Sequence, residues 1–186
     1  TVFLPHVVSI VSIALVFKWM MEPNFGLFNF LLRKMGLPTS SWLSGSSTAM
    51  ACVIAISLWK AVGYDVLILL AALRSVPTSI YEAAKLDNAN RAVMFFKITL
   101  PMISPQLFFT LIIRTISSFK VFDTVRILTQ GGPNNATVTM VYSIYTESLM
   151  SLRIGYGAVY GVILLVIVSL LTVVYFSGFS KKVFYQ

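Results

Sequence analysis

Charge is the scarcest property of this sequence. Its 186 residues include 6 Asp and Glu and 14 Lys and Arg, 11% charged in all, where a soluble domain carries about 25%. So few polar side chains cannot cover a folded surface, and lipid has to be the solvent for much of it. Cysteine and histidine occur once each, as Cys52 and His6, both inside apolar runs. A lone cysteine excludes an internal disulfide framework, and no His/Cys cluster exists to hold a metal. No phosphate-cradling GxxxxGK[ST] loop, GxSxG turn, HExxH helix or convincing acid pair is present, so no catalytic residue is assigned. The net charge of +8 comes without a basic run. That argues against nucleic acid, and fits the excess of basic residues that membrane proteins keep in their cytoplasmic loops.

What is abundant is apolar length. Hydrophobic residues make up 58% of the chain, and the mean hydropathy is +0.87. A helix needs about 20 apolar residues to cross a bilayer. Four segments meet that length: 1–21, 48–73, 98–122 and 156–179. The second is interrupted by Lys60, Gly63 and Asp65, with a helix break expected at Gly63. The third has Pro101 and Pro105 near its start and Arg114 within it. The expected architecture is all-α, a polytopic membrane helix bundle with about four transmembrane helices in a single domain, 1–186. The chain opens inside an apolar segment, without Met and without a basic flank, so it reads as a fragment with its N-terminal part missing rather than as a signal peptide. In the connection 22–47, "NFGLFNFLLRKMGL" predicts a short amphipathic helix ending at Gly36. In 123–155, "TQGGPNN" is a turn signal, and "ATVTMVYSIYTESLM" predicts a helix at the membrane interface.

Lys and Arg set the orientation. Segment 74–97 holds Arg74, Lys85, Arg91 and Lys97, and the tail holds Lys181 and Lys182. The longer connections hold only Arg33 and Lys34, then Arg126 and Arg153. The reading is that 74–97 and the C-terminus face the cytoplasm, which four crossings satisfy.

Within 74–97, "YEAAKLDNANRAVMFFKITLP" is a compact charged stretch between apolar segments. Pro77 ends the second span. Ser79 and Glu82 have the spacing of a capping box, helix formers follow, and Asp87-Asn88 reads as a stop because Asn tolerates the left-handed conformation. Asn90 is placed to cap a second helix returning to the membrane. The bland reading is an ordinary solvated loop. The other is a low-profile docking surface, since two alanines beside a glutamate let another protein approach closely.

The pattern Glu82-Ala83-Ala84, Asp87, Ala89, then Ile98-Thr99-Leu100-Pro101 resembles the EAA motif of ABC importer permeases. It departs from that motif at Asn88, where the family usually has glycine. "ALRSVPTSIYEAA", "ILTQGGPNNAT" and "GYGAVYGVILLV" resemble the maltose and glycerol-phosphate type sugar branch, and the likeness covers nearly all of 1–186. The resemblance implies a type I ABC importer permease fold in a bacterial or archaeal plasma (inner) membrane, with one or two further N-terminal spans. It implies that region 79–90 is a coupling helix, with Glu82, Ala83, Ala84, Asp87, Asn88 and Ala89 docking into a cytoplasmic ABC ATPase dimer. The chain itself would be a transport subunit, not an enzyme, with no cofactor of its own and ATP used by the ATPase. A second permease subunit, usually a different chain, and an extracytoplasmic solute-binding protein complete the implied assembly.

Polar residues inside spans are costly and are functional candidates by default. The second span offers Ser57, Trp59, Lys60, Tyr64 and Asp65; the third offers Arg114, Thr115, Ser117, Ser118, Lys120 and Asp123. The resemblance implies that parts of these spans line the solute path, with Ser57, Tyr64, Ser118 and Lys120 first and Trp59 and Lys60 beside them. Competing readings stand for several. Lys60 and Asp65 can pair, Trp59 can be packing, and Lys18 and Lys120 can snorkel to the interface. The series Gly155, Gly157 and Gly161 reads as close helix packing. The function implied is a sugar importer permease. The alternative is an ABC permease for another small solute, against which the GGP turn argues. A secondary transporter is expected to show broken spans in matching halves, and the sequence shows no such symmetry.

Overall fold

The structure, a computed structural model, describes residues 3–179. Its regular elements are helical throughout the described residues. Among the described residues, two helices are long and apolar enough to cross a membrane alone: α4 (Ala49–Ser75) and, over Ile154–Gly178, α11 (Ile154–Phe179). At about 1.5 Å per residue both exceed the ~30 Å hydrocarbon core. A third crossing is obtained by joining two helical stretches across a bend. The expectation of about four spans is therefore corrected to two, or three with the bent pair.

The expected span at 1–21 is the one that fails. Its described part divides into α1 (Leu4–Val7) and α2 (Ile10–Met20), with Val8 and Ser9 extended between them. Two β-branched valines followed by a serine favour the helix poorly. Lys60 fixes the break: its ammonium donates to the carbonyls of His6 and Val8, each at 3.0 Å. Gly63, by contrast, does not break α4, which runs through it as a buried position.

The third apolar segment starts with α6 (Arg91–Met94), a wide π turn (Phe95–Thr99) and α7 (Leu100–Met102). It continues as α8 (Ser104–Phe119) and α9 (Asp123–Leu128). The two halves meet at 64°. Pro105 is the cause: it has no N–H to donate, and its ring clashes with the carbonyl four residues back, at Pro101.

Two apolar clusters lie near opposite ends of α4. One joins Ile13, Ala14 and Met21 near α2, Cys52, Val53 and Ile56 of α4, and Val125 and Leu128 of α9. The other joins Ala72, Val76 and Ile103, with Tyr81, Met102 and Leu107 packed against it. Much of α11 stays exposed, including Leu165, Val166, Leu170 and Val173, as lipid-facing helices are.

The connection 22–47 folds as expected over α3 (Leu27–Lys34). Gly36 ends it at φ 71°, letting Gly36 and Leu37 N–H bond back to Arg33 and Leu32 at 3.1 and 2.9 Å. Asn29, 1% exposed, organises the rest of the loop. Its amide donates to the Pro23 and Ser40 carbonyls at 2.9 and 2.8 Å, and its oxygen accepts from Ser40 N–H at 3.1 Å and Trp42 Nε1–H at 2.8 Å. The second loop turns at 130–135, where Gly131 has φ 83°. A Cβ on Gly131 would lie 2.8 Å from the Tyr142 ring. Beyond it the helix expected there forms over 140–150, with α10 (Met140–Tyr145) running without interruption into a second wide turn (Thr146–Met150). Replacing Asn29 by Ala removes the partners of the half-buried Ser40 N–H, Trp42 Nε1–H and Ser40 carbonyl, and leaves the Pro23 carbonyl only the Arg33 guanidinium at 3.4 Å. The expected cost is about 2–3 kcal/mol, measured as a lowered thermal midpoint of the protein in detergent.

Candidate functional site: the outward helix and the Arg114–Asp65 polar cluster

The EAA stretch folds as α5 (Thr78–Leu86). The expected capping box is absent. Pro77, at φ −61° and ψ 135°, is the N-cap, and no side chain caps the helix start. Because the fixed proline ring starts the helix at Thr78, Ser79 lies inside the first turn, two positions too late to cap. The C-terminal end follows the expectation closely. Asn88 takes the left-handed conformation at φ 56°. Its N–H bonds to Lys85 O and that of Ala89 to Ala84 O, both at 3.0 Å. These are the two reverse bonds of a Schellman ending, with asparagine filling the position glycine usually takes. Asn90 then caps the return helix, its Oδ1 accepting from Val93 N–H at 2.8 Å.

Of the six residues expected to couple, Glu82, Ala83, Asp87 and Asn88 are exposed, and Ala89 is half-buried. Ala84 is buried and faces the body of the protein. Leu86, which sequence reasoning passed over, is 86% exposed and lies just before the turn. A large apolar side chain so placed, beside Lys85 and Asp87, was visible in the sequence but not its outward direction.

The solute-path candidates do not converge on one site. Lys60 and Tyr64, one turn apart on α4, share a cluster. Lys60 holds the His6 and Val8 carbonyls. Tyr64 stacks on the His6 ring at 4.8 Å, and the Arg114 guanidinium lies over its face at 5.4 Å. Asp65 pairs with Arg114 at 2.7 Å, and Arg114 also donates to Ala61 O at 3.2 Å. The considered Lys60–Asp65 pair is therefore not formed. Asp65 takes a cation from the neighbouring segment instead, where a planar guanidinium bonds both the carboxylate and a backbone carbonyl. Trp59 packs edge-on against Phe17 at 5.3 Å. Ser57 keeps a buried hydroxyl without a hydrogen-bond partner. Ser118 donates to Thr115 O at 2.7 Å on the exposed side of α8, and Lys120 is exposed at its end. Lys18 reaches the Ile127 carbonyl at 3.0 Å rather than only snorkelling.

His6 is the residue here that the sequence did not single out. Asp65 and Arg114 had a signal, as opposite charges inside two apolar segments. The glycine series divides too. A Cβ on Gly157 would overlap Ser148, whereas Gly155 and Gly161 face open space, so close packing holds for Gly157 alone.

Long apolar helices, a short helix with an outward face and an ion pair between two apolar segments define a helical membrane protein. Residues 1–182 match the family described as binding-protein-dependent transport system inner membrane component, and the chain belongs to it. It is 38% identical over 188 residues to the sn-glycerol-3-phosphate transport system permease protein UgpA of Yersinia pestis, covering 98% of this chain and 62% of that protein. It is 35% identical over 180 residues to the probable ABC transporter permease protein YurN of Bacillus subtilis, covering 96% and 62%. The bacterial alginate ABC transporter, solved in complex with an alginate pentasaccharide-bound periplasmic protein, superposes with TM-score 0.87 at 28% identity, covering 99% of this chain and 65% of that one. The chain thus spans a little under two thirds of the length of these relatives.

Removing one member of the Arg114–Asp65 pair leaves the other charge uncompensated. Arg114→Met is expected to destabilise by about 3–5 kcal/mol, and the double change Arg114→Met with Asp65→Leu to regain most of that. Thermal midpoints in lipid nanodiscs would measure both. At Asn88, Gly is expected to leave α5 intact, while Val costs about 1–2 kcal/mol because its branched side chain resists positive φ. Limited proteolysis between α5 and α6 would report the difference.

Proposed function

We propose that this chain is the transmembrane permease part of an ATP-driven sugar importer, and that α5 couples it to a cytoplasmic ATPase. The observation that carries the reading is α5 itself. It is a short helix between two membrane segments, with Glu82, Ala83 and Leu86 turned outward and a Schellman ending that needs no partner to hold it. Membership of an inner membrane transport family supports it. In this reading 74–97 is cytoplasmic, and so is the tail, whose Lys181 and Lys182 lie outside the described residues. α4 carries the chain inward, the bent segment carries it back out, and α11 returns it.

The partners proposed are an ABC ATPase dimer, a second and different permease subunit, and an extracytoplasmic solute-binding protein. ATP is bound and hydrolysed by the ATPases, and the chain supplies no cofactor site. ATP-driven closure moves α5 and rocks the spans. The relatives' names support a polyhydroxylated solute, since one belongs to an sn-glycerol-3-phosphate transport system and a solved neighbour is involved in the import of the acidic polysaccharide alginate. Trp59, 47% exposed, suits such a solute by offering an aromatic face to a sugar ring, whereas Tyr64 is already engaged by His6 and Arg114. Lys60, already engaged by two carbonyls, serves better as an anchor for the N-terminal segment than as a solute ligand.

The test is Glu82→Lys in the full-length protein assembled with its ATPase and companion permease. Loss of ATPase from the purified complex, together with loss of solute-stimulated ATP hydrolysis while the spans remain inserted, is expected. Unchanged binding and hydrolysis would return α5 to the status of an ordinary loop helix.

A further inference from the structure

We propose that the Tyr81–Thr99 hydrogen bond is the contact through which α5 moves the bent third segment, turning its displacement into a change of the bend at Ile103. The inference rests on the coupling reading of α5 given above. The Tyr81 hydroxyl lies 3.0 Å from Thr99 Oγ1, and the Thr99 hydroxyl donates to the Met94 carbonyl at 3.2 Å. Thr99 has one proton to give, so Tyr81 is the donor to Thr99. Thr99 is buried and closes the wide π turn, a local distortion that recurs at functional sites.

The position of this bond relative to the bend carries the argument. Thr99 lies four residues before Ile103, on the cytoplasmic half of the segment, and Ile103 itself packs with Ala72 and Val76 at the end of α4. On the other side of the bend, Arg114 pins α8 to α4 through Asp65 and Ala61. One half of the segment is thus attached to α5 and the other half to α4. A displacement of α5 relative to α4 must change the angle between the halves. The apolar cluster around Tyr81 can slide with little change in buried area, whereas a hydrogen bond weakens steeply with misalignment. The hydroxyl pair therefore fixes the register between α5 and the segment.

The test uses the full-length permease assembled with its ATPase and companion permease in nanodiscs. Spin labels at Ala92→Cys and Phe109→Cys, both exposed positions flanking the bend, are placed in a Cys52→Ala background. Their separation is measured without nucleotide and with ATP and vanadate. The native contact is expected to give a nucleotide-dependent shift. Tyr81→Phe is expected to keep the ATPase in the complex while the ratio of shifted to unshifted population falls about fivefold, the effect of one lost hydrogen bond. Thr99→Val should do the same, Thr99→Ser should retain the shift, and Tyr81→Phe with Thr99→Val should be no worse than either alone. Should Tyr81→Phe fail to assemble, the Thr99 variants decide. An unaltered shift in the variants, or no shift with the native contact, overturns the proposal. Failure of the native permease to retain the ATPase overturns the coupling reading instead.

Discussion

A charge inside a bilayer has to find a partner, and the way Arg114 and Asp65 do so governs how the segments of this protein are assembled. An arginine facing lipid alone is costly, and so is an aspartate. Joined at 2.7 Å across α4 and α8, they fix the two segments in rotation and in height. Once that register is set, Tyr64 falls beneath the Arg114 guanidinium and beside His6. The break at Val8 and Ser9 then presents its freed carbonyls to Lys60. The same demand, that no backbone or charged group be left unsatisfied in an apolar medium, thus joins three parts of the chain at one depth.

Outside the membrane the constraint changes, and so do the devices. The loop 22–47 is ordered by one side-chain amide, Asn29, which does for its neighbours what a strand ladder would do elsewhere. The turn at 130–135 relies on left-handed residues and on Thr137, fully buried and bonded to Thr129 at 2.7 Å and Gly132 O at 2.8 Å. Helix α5 uses a third device, a proline at one end and a left-handed asparagine at the other. It thereby holds its shape with few tertiary contacts and leaves its outer surface open.

Much of this was legible in residue order. The long apolar runs, the helix ending at Gly36, the stop at Asn88 and the cap at Asn90 all rest on local rules, and the backbone follows them. What was not legible depends on partners distant in sequence. Asp65 lies five residues from Lys60 but bonds to Arg114, 49 residues away. Ser79 and Glu82 have the right spacing for a capping box, but Pro77 starts the helix too early for them. The apolar run 1–21 has the length of a span, yet two valines and a serine break it, and Lys60 rewards the break. Of the six residues named for the solute path, only Lys60 and Tyr64 share a cluster, because hydropathy marks depth and only packing determines which way each side chain turns.

The 64° angle at Ile103 has a mechanical consequence. The α8 arm beyond it spans 16 residues, about 24 Å at 1.5 Å per residue, so opening the angle by about 10° would carry its far end roughly 4 Å sideways. A proline-set corner close to the α5 end of the segment therefore acts as the fulcrum of a long arm. A small push near the membrane surface becomes, at the opposite side, a displacement as wide as the gap between two packed side chains.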